Sequence, residues 1–550
     1  MKTFDAAVQA LRAVCHRFDE AGHTAKRAAL QRLAKLPLAA NRTLAAYHEM
    51  LLFLCAHPSD APLLAQVERE LRRITAWLKT RRGAPAAAIE NEGLPFVDTV
   101  TRFSHDGLRW LLAHAHCRVT PEAGGEPTLD LNAVLRLTLP SLERNETTAS
   151  LANDDLLDAL QVARNRRLEF VVAELGRFDT EPYVKDQLFD SLDQFVRVTP
   201  TNRAFSKAYN RLPVAAVFFQ PELIRKIDHM GLMNRPLPAA HRFDAAGRAQ
   251  AIDVVKNSLA LTSRETDPGT YLDAASLRVF DLERGLAVAI YGMTPQRQLP
   301  LESYVGFTLF KNGLPAAYGG AWVLGERSNF GMNIFEPYRG GESGAMMCQV
   351  LRVYRQVFGV QFFEVDAHQF GLDNPDGIAT GAFWFYHRHG FRPLDAALAR
   401  LAERERAKIA SRASRAGYRS SEKTLIEFTG SNVGLNFGTR VPPQLFDMTT
   451  RVTRLVRKNY GGDRQAAERD CVPRFEAKAG AVRRLDRDQQ RVLVEVALIA
   501  EALAVNDAAR LAALRAMVKA KPADVFRYQK LLLEFFRERA KERTAQRAVA

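Results

Sequence analysis

The sequence predicts a central mixed α/β domain, with a mostly antiparallel sheet and flanking helices, between all-α N- and C-terminal regions. Apolar residues recur at helical spacing in the first and last parts of the chain, whereas from about residue 276 they alternate with a period of two. An Asn-Gly pair at 312–313 joins two of these alternating runs, which favours a tight hairpin. The predicted boundaries are 1–250, 251–437 and 438–550, with the core of the central domain at 300–395.

In the N-terminal region, residues 44–55 have apolar positions close to helical period, and Asn41 is placed to cap this helix. A break rich in Gly and Pro at 120–127 separates it from further helical patterns that extend to about residue 260. In the C-terminal region, the most apolar run, 492–505, contains two glutamates and is shorter than the ~20 residues of a membrane span. We therefore expect it to be a buried core helix.

The central region contains the clearest element signals. Two glycines mark the predicted ends of helices: Gly359 follows an amphipathic helical pattern, and Gly390 follows a shorter helical pattern. The predicted strands are 276–282, 286–291, 304–310, 314–324, 330–335 and 360–366, and the predicted helices are 344–358, 380–389 and 396–414. A strand-like piece is predicted at 424–437, and helices follow to the end of the chain.

Bulk properties exclude several classes of protein. The chain has 550 residues, is 47% hydrophobic and 25% charged, and carries five widely spaced cysteines, so we expect a multidomain globular protein of a reducing compartment, the cytoplasm. The first 18 residues resemble an amphipathic helix more than a signal peptide. His114, His116 and Cys117 are too few for a zinc site without a second cluster, so no metal is expected.

The net charge of +15 is compatible with a polyanionic partner. However, the basic residues are scattered among acidic ones, as on a solvated helix face, and no nucleic-acid motif is present. Binding to nucleic acid is therefore not expected. Helical regions of this length favour a homo-oligomer.

One glycine-rich segment contains the strongest chemical signal. Residues 338–345, Tyr-Arg-Gly-Gly-Glu-Ser-Gly-Ala, lie between a predicted strand and a predicted helix. Such a turn directs backbone N–H groups and the positive end of a helix dipole at one small volume, which suits a pyrophosphate. The residues predicted to bind it are Arg339, Gly340, Gly341, Ser343, Gly344 and Ala345. The alternative is a plain helix N-terminus, capped by Ser343 or Glu342.

The same segment, followed by the 382–391 run Ala-x-x-Phe-Tyr-x-x-x-Gly-Phe, resembles the GNAT superfamily of N-acetyltransferases. In that family the turn after the fourth strand holds the pyrophosphate of acetyl-CoA, with the pattern Q/R-x-x-G-x-G/A. Here Arg339 and Gly344 occupy the ends of the pattern, and Glu342 replaces the middle glycine. A carboxylate there opposes a diphosphate unless its side chain points away. More closely, segments at 264–268, 301–313 and 381–386 resemble bacterial GNAT-like proteins with long helical flanks.

The resemblance implies acetyl-CoA, or another acyl-CoA, as cosubstrate and direct attack of an amine on its thioester. It implies that Tyr386 is the acid for the departing thiolate, because a phenol with a pKa near ~10 is protonated at neutral pH. A core aromatic is the alternative role for Tyr386. Glu336, Glu364 and Asp366 are candidate bases, although each also fits a solvated strand residue. Asp373 and Asp376 are candidates for recognising a cationic acceptor.

The sequence thus favours an acyl-CoA-dependent N-acyltransferase, most simply an acetyltransferase, acting on an amine whose identity it does not specify. The alternative is a non-catalytic scaffold built on a degenerate GNAT-like domain. Glu342 and the roughly 400 residues of helical flank motivate that alternative.

Overall fold

The computed structural model describes residues 2–81, 87–144, 150–224, 226–411 and 417–549. The protein is a mixed α/β structure in which helices surround an open, mostly antiparallel sheet. Within the described ranges, no helix combines the length and the apolar character needed to cross a membrane.

The longer helices fall in three groups. Those before the central sheet are Lys2–Val14, Glu20–Ala34, Arg42–Ala56, Ala61–Lys79, His105–Leu112, Leu131–Thr138, Asn153–Ala159, Arg167–Arg177, Pro182–Asp190, His229–Asn234 and Ala245–Ala260. Those within the central region are Ser343–Phe358, Pro375–Thr380, Ala382–Arg388, Ala396–Ala410 and Glu422–Phe428. The C-terminal group is Leu445–Tyr460, Arg464–Ala479, Arg487–Ala502, Ala508–Ala523 and Val525–Val549.

The strands form two sheets. A small antiparallel sheet has the order β1-β3-β2 and a large sheet the order β10-β11-β9-β8-β7-β6-β5-β4. The bounds are β1 Thr99–Arg102, β2 Cys117–Glu122, β3 Phe195–Pro200, β4 Arg278–Asp281, β5 Leu286–Tyr291, β6 Ser303–Lys311, β7 Leu314–Leu324, β8 Arg327–Ile334, β9 Phe362–Val365, β10 Arg392–Pro393 and β11 Val433–Asn436.

Several predicted elements are confirmed. Asn41 caps the helix Arg42–Ala56 by accepting a hydrogen bond from the Leu44 N–H. The hairpin of β6 and β7 turns at Asn312 and Gly313, whose φ values of 47° and 78° are those of the tight turn that an Asn-Gly pair favours. The helix Ser343–Phe358 ends at Gly359, which adopts a left-handed conformation with φ 73°.

Two predictions were wrong. The N-terminal region is not all-α, because β1, β2 and β3 form a sheet within it. β3, Phe-Val-Arg-Val-Thr-Pro, alternates between buried and half-buried residues, the pattern of a strand with one face on a core. The piece at 424–437 is also not a continuous strand, since the helix Glu422–Phe428 precedes the short strand β11. The predicted end of the helix 396–414 lies outside the described residues.

The large sheet buries both faces. In β5, Val288 and Ile290 belong to the largest core, whereas Ala289 and Tyr291 pack in another core with the helix Ala245–Ala260, as the period-two rule requires. The largest core also contains residues from the first four helices and from the helix Ser343–Phe358. The N-terminal helices therefore share one hydrophobic core with the sheet. The C-terminal helices surround a further core of their own.

Candidate functional site

The end of the parallel strand pair in the large sheet positions the site. β8 and β9 are the parallel pair of the large sheet, and they pair only from Arg327 to Asn329 on β8. β8 continues to Ile334, and beyond Asn329 it has no ladder partner on the β9 side among the described residues. β9 ends at Val365, one residue after its last pair, so β8 extends beyond its parallel neighbour.

The end of β8 borders a cavity of about 1020 Å³. The end of β8 lines one side through Met332, Asn333 and Ile334, and Tyr386 lines it from the following helix. The N-terminal region closes another side, with Leu52 and Lys207 among the lining residues. A volume of this size is in the range of sites for small organic ligands and cofactors.

The glycine turn, residues 339–342, leads from the end of β8 into the helix Ser343–Phe358, here named the turn helix. Gly340 is exposed and has φ 78°, a left-handed conformation that favours glycine. The Gly341 N–H donates to the Tyr338 carbonyl at 3.3 Å. That N–H is therefore already satisfied, which departs from the expectation that Gly341 contributes it to a phosphate.

The first N–H groups of the turn helix point out of its end without partners. The side chain of Glu342, the residue before the helix, makes no capping hydrogen bond. Among the described residues, the N–H groups of Ser343, Gly344 and Ala345 make no hydrogen bond. Ser343 lines the cavity, whereas Gly344 and Ala345 do not belong to its lining. The positive end of the helix therefore meets the cavity at Ser343.

Glu342 does not place its charge in this opening. Its carboxylate is buried in the protein interior, where Lys311 and Arg284 neutralise it. Burial alone would raise the pKa of Glu342, but the positive charges of Lys311 and Arg284 and the hydrogen bonds that it accepts lower it overall. The side chain of Glu342 therefore points away from the turn, and in this position it is compatible with a diphosphate there.

Arg339 adds an exposed positive charge at the edge of the turn. Its side chain is 64% exposed, its Nε donates to the Ile334 carbonyl at 3.2 Å, and its guanidinium lies 3.7 Å from the Glu336 carboxylate. Such an exposed pair contributes little to stability. The guanidinium can therefore exchange Glu336 for a bound anion at small cost.

Two histidines pack against glycines at the turn. A Cβ on Gly344 would lie 2.2 Å from Nε2 of His389, so that only glycine fits beneath the imidazole. The His389 Nδ1 lies 2.7 Å from the Phe385 carbonyl, which fixes the ring. On the other side, a Cβ on Gly341 would lie 3.4 Å from Nε2 of the buried His57. Close packing therefore requires glycine at position 344, whereas at position 341 a Cβ would make only an ordinary contact with His57.

Tyr386 is buried but keeps its hydroxyl unengaged. Its exposed fraction is 5%, it lines the cavity, and no described residue hydrogen-bonds to its hydroxyl. Burial raises the pKa of the Tyr386 phenol above its usual value. The phenol is therefore protonated at neutral pH and available to a ligand as a proton donor.

The candidate bases differ in position. Glu336 is exposed at the rim of the cavity, within reach of its contents. Glu364 lies on β9 away from the cavity lining, and its carboxylate is engaged by Arg327 and by the Asn432 amide at 2.7 Å. That buried ion pair gives Glu364 a role in the sheet. Asp376 lines the cavity, whereas Asp373 does not belong to its lining.

Sequence reasoning missed two of these residues. Lys207 lines the cavity from the N-terminal region, and its stem lies across Gly93, where a Cβ would meet the Lys207 Cγ at 2.8 Å. It is more than 130 residues from the glycine turn in sequence and belongs to no motif, so no signal could have found it. No sequence pattern marks His389 as part of the site either. Its contact with Gly344 depends on tertiary packing.

Comparison of the chain with protein-family models, curated proteins and solved structures finds no match.

Proposed function

We propose that the protein is an acyl-CoA-dependent N-acyltransferase, most simply an acetyltransferase that acts on an amine. One observation carries the proposal: the end of β8 that extends beyond β9, Ser343 at the start of the turn helix, and Tyr386 all border a single cavity. A coenzyme A thioester needs these three features, which are partners for an extended chain of amides, a site for a diphosphate, and an acid near its sulfur.

In the proposed reaction the diphosphate binds at the N–H groups of Ser343, Gly344 and Ala345, with Arg339 adding charge. The pantetheine amides use the backbone groups of β8 that β9 leaves unpaired. The amine nitrogen attacks the thioester carbonyl carbon, so that a C–N bond forms and the C–S bond breaks. The thiolate takes the phenol proton of Tyr386, and the proton that the amine loses goes to Glu336 or to water.

The alternative is a non-catalytic scaffold, which is favoured by the presence of Glu342 at a position where the family pattern has glycine. Because the Glu342 carboxylate is turned into the interior and neutralised there, it does not oppose an anion at the turn. The large helical flanks, the other motive for a scaffold, include residues that line the same cavity. Both features are compatible with an enzyme.

The first test is a calorimetric titration of acetyl-CoA into the wild type and into Ser343→Glu. Ser343 is half-buried and lies at the first position of the helix, where a carboxylate interacts favourably with the dipole. We expect the variant to remain as stable as the wild type and to lose acetyl-CoA binding at least tenfold, because its charge occupies the anion site.

Ser343→Gln is the matched control, since it has the same shape without the charge and should bind within about threefold of the wild type. Release of free thiol with a panel of primary amines then tests turnover. A wild type that does not bind acetyl-CoA or CoA at millimolar concentrations would refute the proposed function.

A further inference from the structure

Glu342 occupies the position from which a side chain normally caps a helix. It directly precedes the turn helix, with φ −105° and ψ 42°, yet its side chain bonds to no N–H of that helix. Instead its side chain is completely buried. A carboxylate buried in this way requires charged partners, because an unpaired buried charge is strongly destabilising.

Those partners come from the sheet and from the N-terminal region. Arg284 approaches Oε1 of Glu342 to 2.8 Å, and the Ile224 N–H donates to the same oxygen at 2.9 Å. Lys311 Nζ lies 3.4 Å from Oε2 and is itself completely buried. Lys311 also donates to Gln220 at 3.0 Å and to the Arg284 carbonyl at 2.6 Å. Every contact of the carboxylate draws it inward.

The strands fix both cations. Lys311 is the last residue of β6, just before the hairpin turn. Arg284 lies in the turn that joins β4 to β5, where it has φ 63°. The ammonium of Lys311 is held further by its bonds to Gln220 and to the Arg284 carbonyl. Two positive charges and one negative charge leave a net charge of +1 beneath the turn.

The geometry points to Lys311 and Arg284 as positioning residues for the anion site. By holding the Glu342 carboxylate inside the protein, they keep it away from the N-terminal end of the turn helix, which meets the cavity at Ser343. Without Lys311, the carboxylate turns towards the open helix end and repels the ligand. This inference depends on the proposed function only for the identity of the physiological ligand.

The test uses two probes, inorganic pyrophosphate and acetyl-CoA, each titrated into the full chain. Lys311→Met leaves Glu342 without its ammonium partner, and we expect at least a tenfold loss of affinity for both probes. The double variant Lys311→Met/Glu342→Gln has no carboxylate to release, and its affinity should return to within about threefold of the wild type. Glu342→Gln alone should bind at least as tightly as the wild type.

Melting temperatures provide a readout without ligand and show whether each variant folds. The double variant should melt above Lys311→Met, because the single substitution leaves a buried charge partly uncompensated. Binding of pyrophosphate but not acetyl-CoA, with the pattern above, would support the inference and refute the proposed function. Unchanged affinity in folded Lys311→Met, failure of the double variant to recover, or no binding of either probe by the wild type would overturn the inference.

Discussion

At the scale of single residues, the proposed chemistry depends on the hydroxyl group of Tyr386. Its phenol is buried, protonated and without a hydrogen-bond partner among the described residues. Tyr386→Phe removes only the hydroxyl, so it should leave acetyl-CoA binding within about twofold of the wild type. We expect kcat to fall at least tenfold, since general acids contribute roughly 10²–10⁴-fold.

Steady-state kinetics of thiol release checks this, with the best amine from the panel as acceptor. Phe385→Leu is a suitable control, because Phe385 lines the same cavity and carries no proton donor. A variant Tyr386→Phe with unchanged kcat would assign Tyr386 to packing, the alternative that its aromatic surroundings allow.

His48 makes the stability of the protein sensitive to acid. It is 1% exposed, and neither ring nitrogen has a hydrogen-bond partner among the described residues. Burial lowers the pKa of His48 to about 3, and Lys207 and Arg211 add to the effect. The unfolded chain, with a histidine pKa of about 6.5, therefore takes up a proton first as the pH falls. Stability present above pH ~6.5 is lost progressively below it.

His48→Leu should reduce this loss by about 1 kcal/mol between pH 7.0 and pH 5.5, since one proton corresponds to about 1.4 kcal/mol per pH unit. Urea unfolding at the two pH values measures it. An equal loss of stability in the variant and the wild type would show that His48 is not responsible.

At the scale of elements, the tip of the β6–β7 hairpin is a docking point rather than an exposed loop. Asn312 is 7% exposed. Its Nδ2 donates to the carbonyls of Ala56 at 2.9 Å and Phe218 at 3.0 Å, and its Oδ1 accepts from the Phe218 N–H at 2.8 Å. The tip of the hairpin thereby satisfies backbone groups of the N-terminal region.

Asn312→Gly preserves the left-handed turn and removes all three bonds, leaving buried backbone groups unpaired. We expect a loss of about 2–3 kcal/mol in the free energy of unfolding, measured by urea denaturation. Asn312→Asp keeps the acceptor oxygen but turns a carboxylate oxygen towards the carbonyls of Ala56 and Phe218, so it should be no more stable than the glycine variant. If the glycine variant were as stable as the wild type, the hairpin tip would not anchor the N-terminal region.

The same hairpin shows what sequence reasoning could and could not supply. Asn312 and Gly313 predict the turn because its φ values are a local property. The contacts of Asn312 with Ala56 and Phe218 could not be predicted, since these residues are 256 and 94 positions away in the sequence. The candidate site divides in the same way. The glycine turn and Tyr386 follow from local motifs, whereas the inward turn of Glu342 depends on Lys311 and Arg284.

The short N-terminal strands were missed for a related reason. β1 and β2 each pair with β3, which follows them by roughly 75–100 residues, and each strand has only four to six residues. A pattern this short does not separate a strand from a helix segment. Only the distant partner decides it, through ladder hydrogen bonds that no local window contains.

At the scale of the whole molecule, the arrangement of hydrophobic cores decides which parts can fold alone. The largest core combines Leu11, Leu30, Leu51 and Val67 from the N-terminal helices with the large sheet. The C-terminal core, in contrast, contains only Leu301 and Leu324 from outside residues 438–550, among the residues that the structure describes. Separation at residue 245 therefore exposes much more apolar surface than separation at residue 438.

We accordingly expect the fragment 245–437, which keeps the helix Ala245–Ala260 whole, to be insoluble or to lack a cooperative thermal transition. Burial contributes roughly 25 cal/mol per Å², and nearly half of the largest core is missing from this fragment. The fragment 438–550 should be helical and melt cooperatively, and serves as the control. Circular dichroism and calorimetry of the two fragments, and of 245–437 coexpressed with 1–244, measure this. Recovery of a soluble complex in the coexpression would show that the missing partner is the N-terminal region. If the fragment 245–437 melted cooperatively by itself, that result would contradict the shared core and would show that this part of the site folds without the N-terminal wall of the cavity.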